Sequence, residues 1–197
     1  MTKGPRYRRA FRRRSTGKTN YQRRLKFLKS NKLRIVARAS NNHILIQVVQ
    51  SKLGGDKIIS SAFSKELKNK YGWKANTGNI PAAYLTGYLA GLRAKKQNIT
   101  EAILDLGILY HRNRLIAASK GVIDAGLEVP YNEDFFPENL KERIEGQHIE
   151  KYAKGLKDEN PEKYEKIFSG YLNNDKINPL KISQMFSTTL KSIESKP

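Results

Sequence analysis

Few side chains in this sequence are spaced for catalysis. Ser15-Thr16-Gly17-Lys18-Thr19 matches the last part of a phosphate-binding P-loop, in which backbone amides cradle phosphates and a lysine reaches them. The full pattern needs a glycine five residues before Gly17, where Arg12 stands, and a buried strand ahead of it, where the chain is polyarginine. Asp56, Glu101, Asp105 and Asp124 are the carboxylates from which a two-metal nuclease cluster would be drawn, and Asp56, Asp105 and Asp124 those that a nucleic-acid-processing enzyme of ribonuclease H type would use. The first expected strands bring Arg34 and Arg38 to such a site instead of acids, so capping and salt-bridge roles are expected for the four carboxylates. The histidines His43, His111 and His148 are too scattered for a ligand pair, and His111 beside Arg112 and Arg114 is expected to touch phosphate. The absence of cysteine removes disulfides, thiolate zinc sites and cysteine nucleophiles together. No serine sits in a Gly-x-Ser-x-Gly elbow, and the sequon Asn98-Ile99-Thr100 comes without any sign of secretion. The sequence implies no enzymatic chemistry, no cofactor and no small-molecule substrate.

What the sequence concentrates is cationic charge. Residues 1–55 hold 16 Lys and Arg and no Asp or Glu, which is most of the net charge of +20. The rest of the 197 residues carries 22 basic and 18 acidic side chains. A segment so self-repelling has too little apolar surface to offset the entropy of ordering, so it needs a polyanion. Arg6, Arg8, Arg9, Arg12, Arg13, Arg14 and Lys18 are interleaved with Tyr7, Phe11 and, beyond them, Tyr21 rather than set opposite a broad apolar face. That pattern favours nucleic acid over an anionic membrane, because arginine pairs with phosphates and stacks on bases. No window of 18 apolar residues provides a membrane span, and the basic N-terminus lacks the apolar core of a secretory signal, so a cytoplasmic address is expected.

The elements that must position these cations follow from periodicity. Residues 1–30 read as a basic arm and helix: Thr19 is the expected N-cap of a helix over Asn20 to Ser30, with Tyr21, Leu25 and Leu28 laid on the domain and Arg23, Arg24, Lys26 and Lys29 turned outward. Residues 31–127 read as a mixed α/β domain. Leu33 to Ala39 alternates as a strand with Arg34 and Arg38 on one face. His43 to Gln50 and Lys57 to Ala62 complete an antiparallel meander across the turns Ser40-Asn41-Asn42 and Gly54-Gly55-Asp56. A short helix over Lys65 to Tyr71, a long one from Asn79-Ile80-Pro81 to Lys95, a strand over Ile99 to Leu106 and a helix over Arg112 to Ala125 follow. The order βββαβα argues for an α/β fold, a mixed sheet with helices packed on it, and the glycines of the long helix suggest close packing across that sheet. Residues 128–197, with 13 acids against 11 bases, read as a helical C-terminal extension.

Taken in order, these motifs resemble the large-subunit ribosomal protein eighteen family in its archaeal and eukaryotic form. The resemblance rests on Arg12-Arg13-Arg14 with Gly17-Lys18-Thr19 and Tyr21, on Arg34-Ile35-Val36 with Asn41 and Gln47, and on Gly55-Asp56 and Lys70-Tyr71-Gly72. Asn79 with Ala82-Ala83-Tyr84 and Thr86-Gly87, and later Gly146-His148-Ile149, extend it over most of residues 5 to 155. It implies the translational-machinery fold, similar to the ribonuclease H topology without that active site. It also implies a protein that binds 5S rRNA in the central protuberance, touching large-subunit rRNA and a neighbouring 5S-binding ribosomal protein. Carried onto this chain, the RNA surface comprises Arg12, Arg13, Arg14, Lys18, Thr19, Tyr21, Arg34, Arg38 and Asn41, beside the other arginines of the arm and helix. Tyr71, Trp73 and Lys74 are added as a site where an exposed aromatic stacks on a base, or where a buried one serves the core.

Overall fold

The computed structural model describes residues 4–52, 55–108, 112–174 and 177–197. The alternating stretch forms β1 (Arg34–Ala39), which turns back into β2 (Ile44–Lys52) with Ala37 opposite Ile46. Ser40 closes the turn: its amide donates to the His43 carbonyl at 2.8 Å, and its hydroxyl accepts from the His43 amide at 3.0 Å. β3 (Gly55–Phe63) continues the meander, with a bulge against Val48 and Val49; Gly54 of the expected turn lies outside the described residues. β4 (Ile103–Asp105) joins β1 in parallel and sets the strand order β3-β2-β1-β4. The expected strand over Ile99 to Leu106 is shorter because its first half bonds elsewhere. The Ala102 amide donates to the Glu128 carbonyl and the Glu128 amide to the Thr100 carbonyl, a bridge to the chain beyond the last domain helix.

Helices cover one face of this sheet. α3 (Ser64–Lys70) is followed by α4 (Ile80–Lys96), where the Asn79 side chain accepts from the Ala82 amide at 2.9 Å and Pro81 sits in the first turn. α5 (Asn113–Asp124) lies against α4, and the two press on Ile35, Ala37, Ile46, Val48 and Ala62. The close approach that the glycines of α4 permit is between the helices, not across the sheet. A Cβ on Gly87 would stand 2.0 Å from the Ala118 carbonyl oxygen, and one on Gly121 would stand 2.2 Å from that of Tyr84. Trp73 is fully buried, its indole N–H donating to the Asn76 carbonyl at 3.2 Å, and Tyr71 is buried beside it. Neither ring is exposed to stack on a base; the loop after α3 uses them as core, and Lys74 alone of that trio points to solvent.

The extension is helical as its periodicity indicates, and part of it closes the domain. After a single turn at Glu133–Phe135 come α6 (Leu140–Glu145), α7 (Gln147–Glu159), α8 (Pro161–Ile167) and α9 (Ile182–Ser195). Leu140, Ile144, Ile182, Phe186 and Ile193 join the main core, with α6 and α9 against α4. A smaller cluster, Ala153, Leu156, Tyr164 and Phe168, ties α7 to α8. Among the described residues, no helix is long and apolar enough to cross a membrane.

The helix pair supplies a stability test. Gly121→Ala pushes a methyl into backbone and should cost about 1–3 kcal/mol in urea denaturation. Gly155, on α7 with nothing within 4 Å of a Cβ, should gain up to about 1 kcal/mol on substitution by Ala. Equal effects of the two changes would contradict the close packing of α4 on α5.

Candidate nucleic-acid interface

The arm begins as an exposed chain: every residue from 4 to 18 is exposed, including Arg6, Arg8, Arg9, Arg12, Arg13 and Arg14. One turn, α1 (Arg12–Ser15), interrupts it and ends near Gly17, whose positive φ of 64° allows the chain to double back. Among the described residues no strand precedes the P-loop-like motif, and Thr19 accepts from Arg13 Nε at 2.8 Å instead of capping a helix. The N-cap of α2 (Tyr21–Lys29) is Asn20, whose side chain accepts from the Arg23 amide at 3.0 Å.

The orientation of α2 departs in part from what its apolar period suggests. Leu28 is half-buried and Lys26 and Lys29 are exposed as expected, but Tyr21 and Leu25 are exposed, at 39% and 52%, while Arg23, Arg24 and Phe27 are half-buried. The reason lies beneath the helix. The outer face of the sheet offers hydrogen-bond acceptors and carboxylates, which arginine satisfies and leucine cannot. Arg23 donates to the Gly107 carbonyl at 2.9 Å, and Arg24 pairs with Asp56 at 3.2 Å.

At the centre of that face is Arg34. Expected among the RNA-binding residues, it is 2% exposed and out of reach of a ligand. Its guanidinium bridges Asp105 on β4 at 3.0 Å and Asp56 on β3 at 2.7 Å, crossing β2, where Ser51 Oγ accepts from Nε at 3.2 Å. A buried charge needs such full pairing. Arg38 extends the chain of alternating charge at the surface, donating to the Asp105 carbonyl at 2.7 Å and pairing with its carboxylate at 3.2 Å. Gly107, at φ 72°, lets the backbone pass close over the Arg38 guanidinium, which a Cβ would meet at 3.2 Å. Burial pushes the Asp56 carboxyl up, but hydrogen bonds and charge from Arg34 and Arg24 outweigh it and hold the group below its ordinary value.

Arm, α2 and sheet enclose a groove of about 740 Å³, rimmed by Arg13, Lys18, Arg23, Arg24, Arg38 and Arg112. Lys18 and Arg112 have no side-chain partner among the described residues. Asn41, exposed at the hairpin tip, lies apart from the rim: Arg114 donates to the carbonyls of Ser40, Asn41 and Gly78 and locks that loop. His111, expected to touch phosphate, lies outside the described residues. Arg112 and Phe27 are among the groove residues that sequence reasoning did not place there; for Arg112 the Arg112-x-Arg114 doublet at the start of α5 was the available signal.

The four carboxylates do not converge. Asp56 and Asp105 are paired with arginines, Glu101 with Lys32 at 2.7 Å and Asp124 with Lys120 at 2.8 Å. Among the described residues, no three His, Asp or Glu side chains come together as metal ligands.

Residues 5–103 match the model of a family described as ribosomal large subunit proteins 60S L5 and 50S L18. Relatives named large ribosomal subunit protein uL18 align over nearly the whole chain. That of Aeropyrum pernix is 44% identical, covering 98% of this chain and 90% of its own. That of Korarchaeum cryptofilum is 46% identical, covering 99% and 98%, and that of Sulfolobus acidocaldarius is 44% identical, covering 98% of each.

Removing the buried guanidinium takes from Asp56 and Asp105 their shared buried partner and leaves them the more exposed Arg24 and Arg38. Arg34→Ala should therefore destabilise the fold by about 3–5 kcal/mol, measured by denaturant titration near neutral pH. Because the folded-state value for Asp56 is depressed, its contribution is present above about pH 4 and lost as the pH falls below that. Wild type should lose stability over that acid range more steeply than Arg34→Ala. A loss below 1 kcal/mol, or parallel acid curves, would contradict the pairing.

Proposed function

Since the chain belongs to the family of ribosomal large subunit proteins 60S L5 and 50S L18, we propose that it binds 5S rRNA and mediates its attachment to the large subunit in the central protuberance. Family membership makes it a structural, RNA-associated component of the large ribosomal subunit and not an enzyme. The finer reading adds two contacts: large-subunit rRNA, and the neighbouring 5S-binding ribosomal protein.

One observation carries the reading. Between residues 4 and 52 the described chain holds Lys and Arg and no acid, and the arm's arginines are exposed. The sheet's own carboxylates already hold Arg34, Arg24 and Arg38, so they leave the arm unneutralised. Only a dense polyanion matches that surplus. Arginine and lysine release condensed counterions from phosphates, which gives affinity at low salt. Phe11 and Tyr21, exposed with ring centroids 5.7 Å apart, are placed among the arginines to stack on unpaired bases. Arg6, Arg8, Arg9, Arg12, Arg13, Arg14 and Lys18 take the phosphate role, and Arg38 and Arg112 continue it onto the domain. Asn41 and Lys74, both exposed, are outlying candidates.

If six phosphates are neutralised, affinity for 5S rRNA should fall with salt at a log-log slope of roughly −4 to −5. Arg12→Ala, Arg13→Ala and Arg14→Ala together should flatten that slope by about 2 to 3 and leave the thermal melt unchanged. A wild-type slope near −1, or an unchanged slope in the triple variant, would count against the proposal.

A further inference from the structure

The groove under α2 is not built like a surface for phosphates alone. Its rim is cationic, but its floor is apolar: Ala37, Leu106 and Leu115 are buried at the bottom, with Ala39, Phe27 and Ile108 forming the walls. The carboxylate in the lining is Asp105, 11% exposed and committed to Arg34, Arg38 and the Gly107 amide. A phosphate driven to the bottom would lose its water against apolar side chains and meet that carboxylate. A flat, weakly polar ring would not. The volume, about 740 Å³, falls in the range of pockets that enclose a whole small ligand.

The other feature is the motif left unused by any catalytic reading. Gly17, Lys18 and Thr19 stand at the groove's mouth, where α1 ends and the chain turns toward α2. Lys18 from the arm and Arg112 from the start of α5 are exposed cations of the same lining, contributed by segments far apart in the chain. An object that suits this cavity has an apolar planar centre and negative charge beside it.

We propose that the groove holds one unpaired nucleotide of the bound RNA, its base on the apolar floor and its two flanking phosphates on the rim at Lys18 and Arg112. This rests on the RNA-binding reading above and adds that the protein requires an extruded base at one position. A duplex does not satisfy it, because an A-form helix keeps its bases stacked and offers backbone and a shallow minor groove. Free mononucleotide is the competing occupant, but the lining carries Arg13, Lys18, Arg23, Arg24, Arg38 and Arg112, more cations than the one phosphate of a mononucleotide calls for.

The test fills the groove without removing a cation. Ala39→Phe places a ring on the wall, and Ile108→Trp does so from a side chain that is 45% exposed and less tied to the core. Each variant is first checked for an unchanged thermal melt, then titrated with 5S rRNA in parallel with wild type. A filled groove should weaken binding by about 5- to 100-fold, the worth of one stacked base, with the salt slope unchanged. In a set of 5S rRNAs each lacking one base, a single position should weaken wild type by a similar factor and leave the filled variants indifferent. Failure of wild type to bind 5S rRNA would sink the parent reading and this proposal together. Wild-type affinity in a folded filled variant, or no single base whose loss matters, would overturn this proposal alone. Adenosine monophosphate occupying the groove while RNA affinity ignores Ile108→Trp would also overturn it, marking a small-molecule site.

Discussion

The outer face of the sheet depends on one buried guanidinium. Arg34, drawn from β1, reaches Asp105 on the neighbouring strand and Asp56 two strands away, so three strands are tied by charge on the side opposite the helices. Hiding an arginine is costly unless its charge is paired and hydrogen-bonded, and here each of its three nitrogens donates to Ser51 or one of the two carboxylates. The same carboxylates then have acceptor sites left for Arg24 and Arg38. A cation at the centre thereby fixes two more at the surface.

This arrangement explains why α2 rests on its arginines. An apolar stripe would find carboxylates and a bare carbonyl beneath it, while Arg23 and Arg24 find acceptors. Turning that side inward leaves Tyr21 and Leu25 in solvent beside Phe11. Aromatic rings among exposed cations suit a polyanion that also carries stacking faces. The acid-free first quarter, too charged to pack alone, and the anchored helix behind it form one continuous surface, and the groove lies where they meet.

Much of the scaffold was legible in the sequence. Alternation and the Ser40-Asn41-Asn42 turn marked the hairpin, Asn79-Ile80-Pro81 marked the start of α4, and the βββαβα order described the mixed sheet. The exposed arginines of the arm were legible too, because a run without acids has nothing local to pair with. Parity placed Arg34 on the outer face, but sequence could not show that acids from β3 and β4 would converge on it, since those contacts are 22 and 71 residues away. Trp73 was ambiguous for a related reason: a loop aromatic is core or surface according to what packs over it. The period of α2 misled because a helix faces whatever will bond it, and the partner surface here was polar. Gly87 and Gly121 announced a close approach but not its partner, which is a helix and not the sheet.

Ultraviolet crosslinking of the protein to 5S rRNA, with the joined peptides mapped by mass spectrometry, tests most directly whether RNA lies against the arm, α2 and the groove. Links should concentrate on peptides carrying Phe11, Tyr21 and Phe27. Links confined to the helices from α6 to α9, with that region untouched, would contradict that placement.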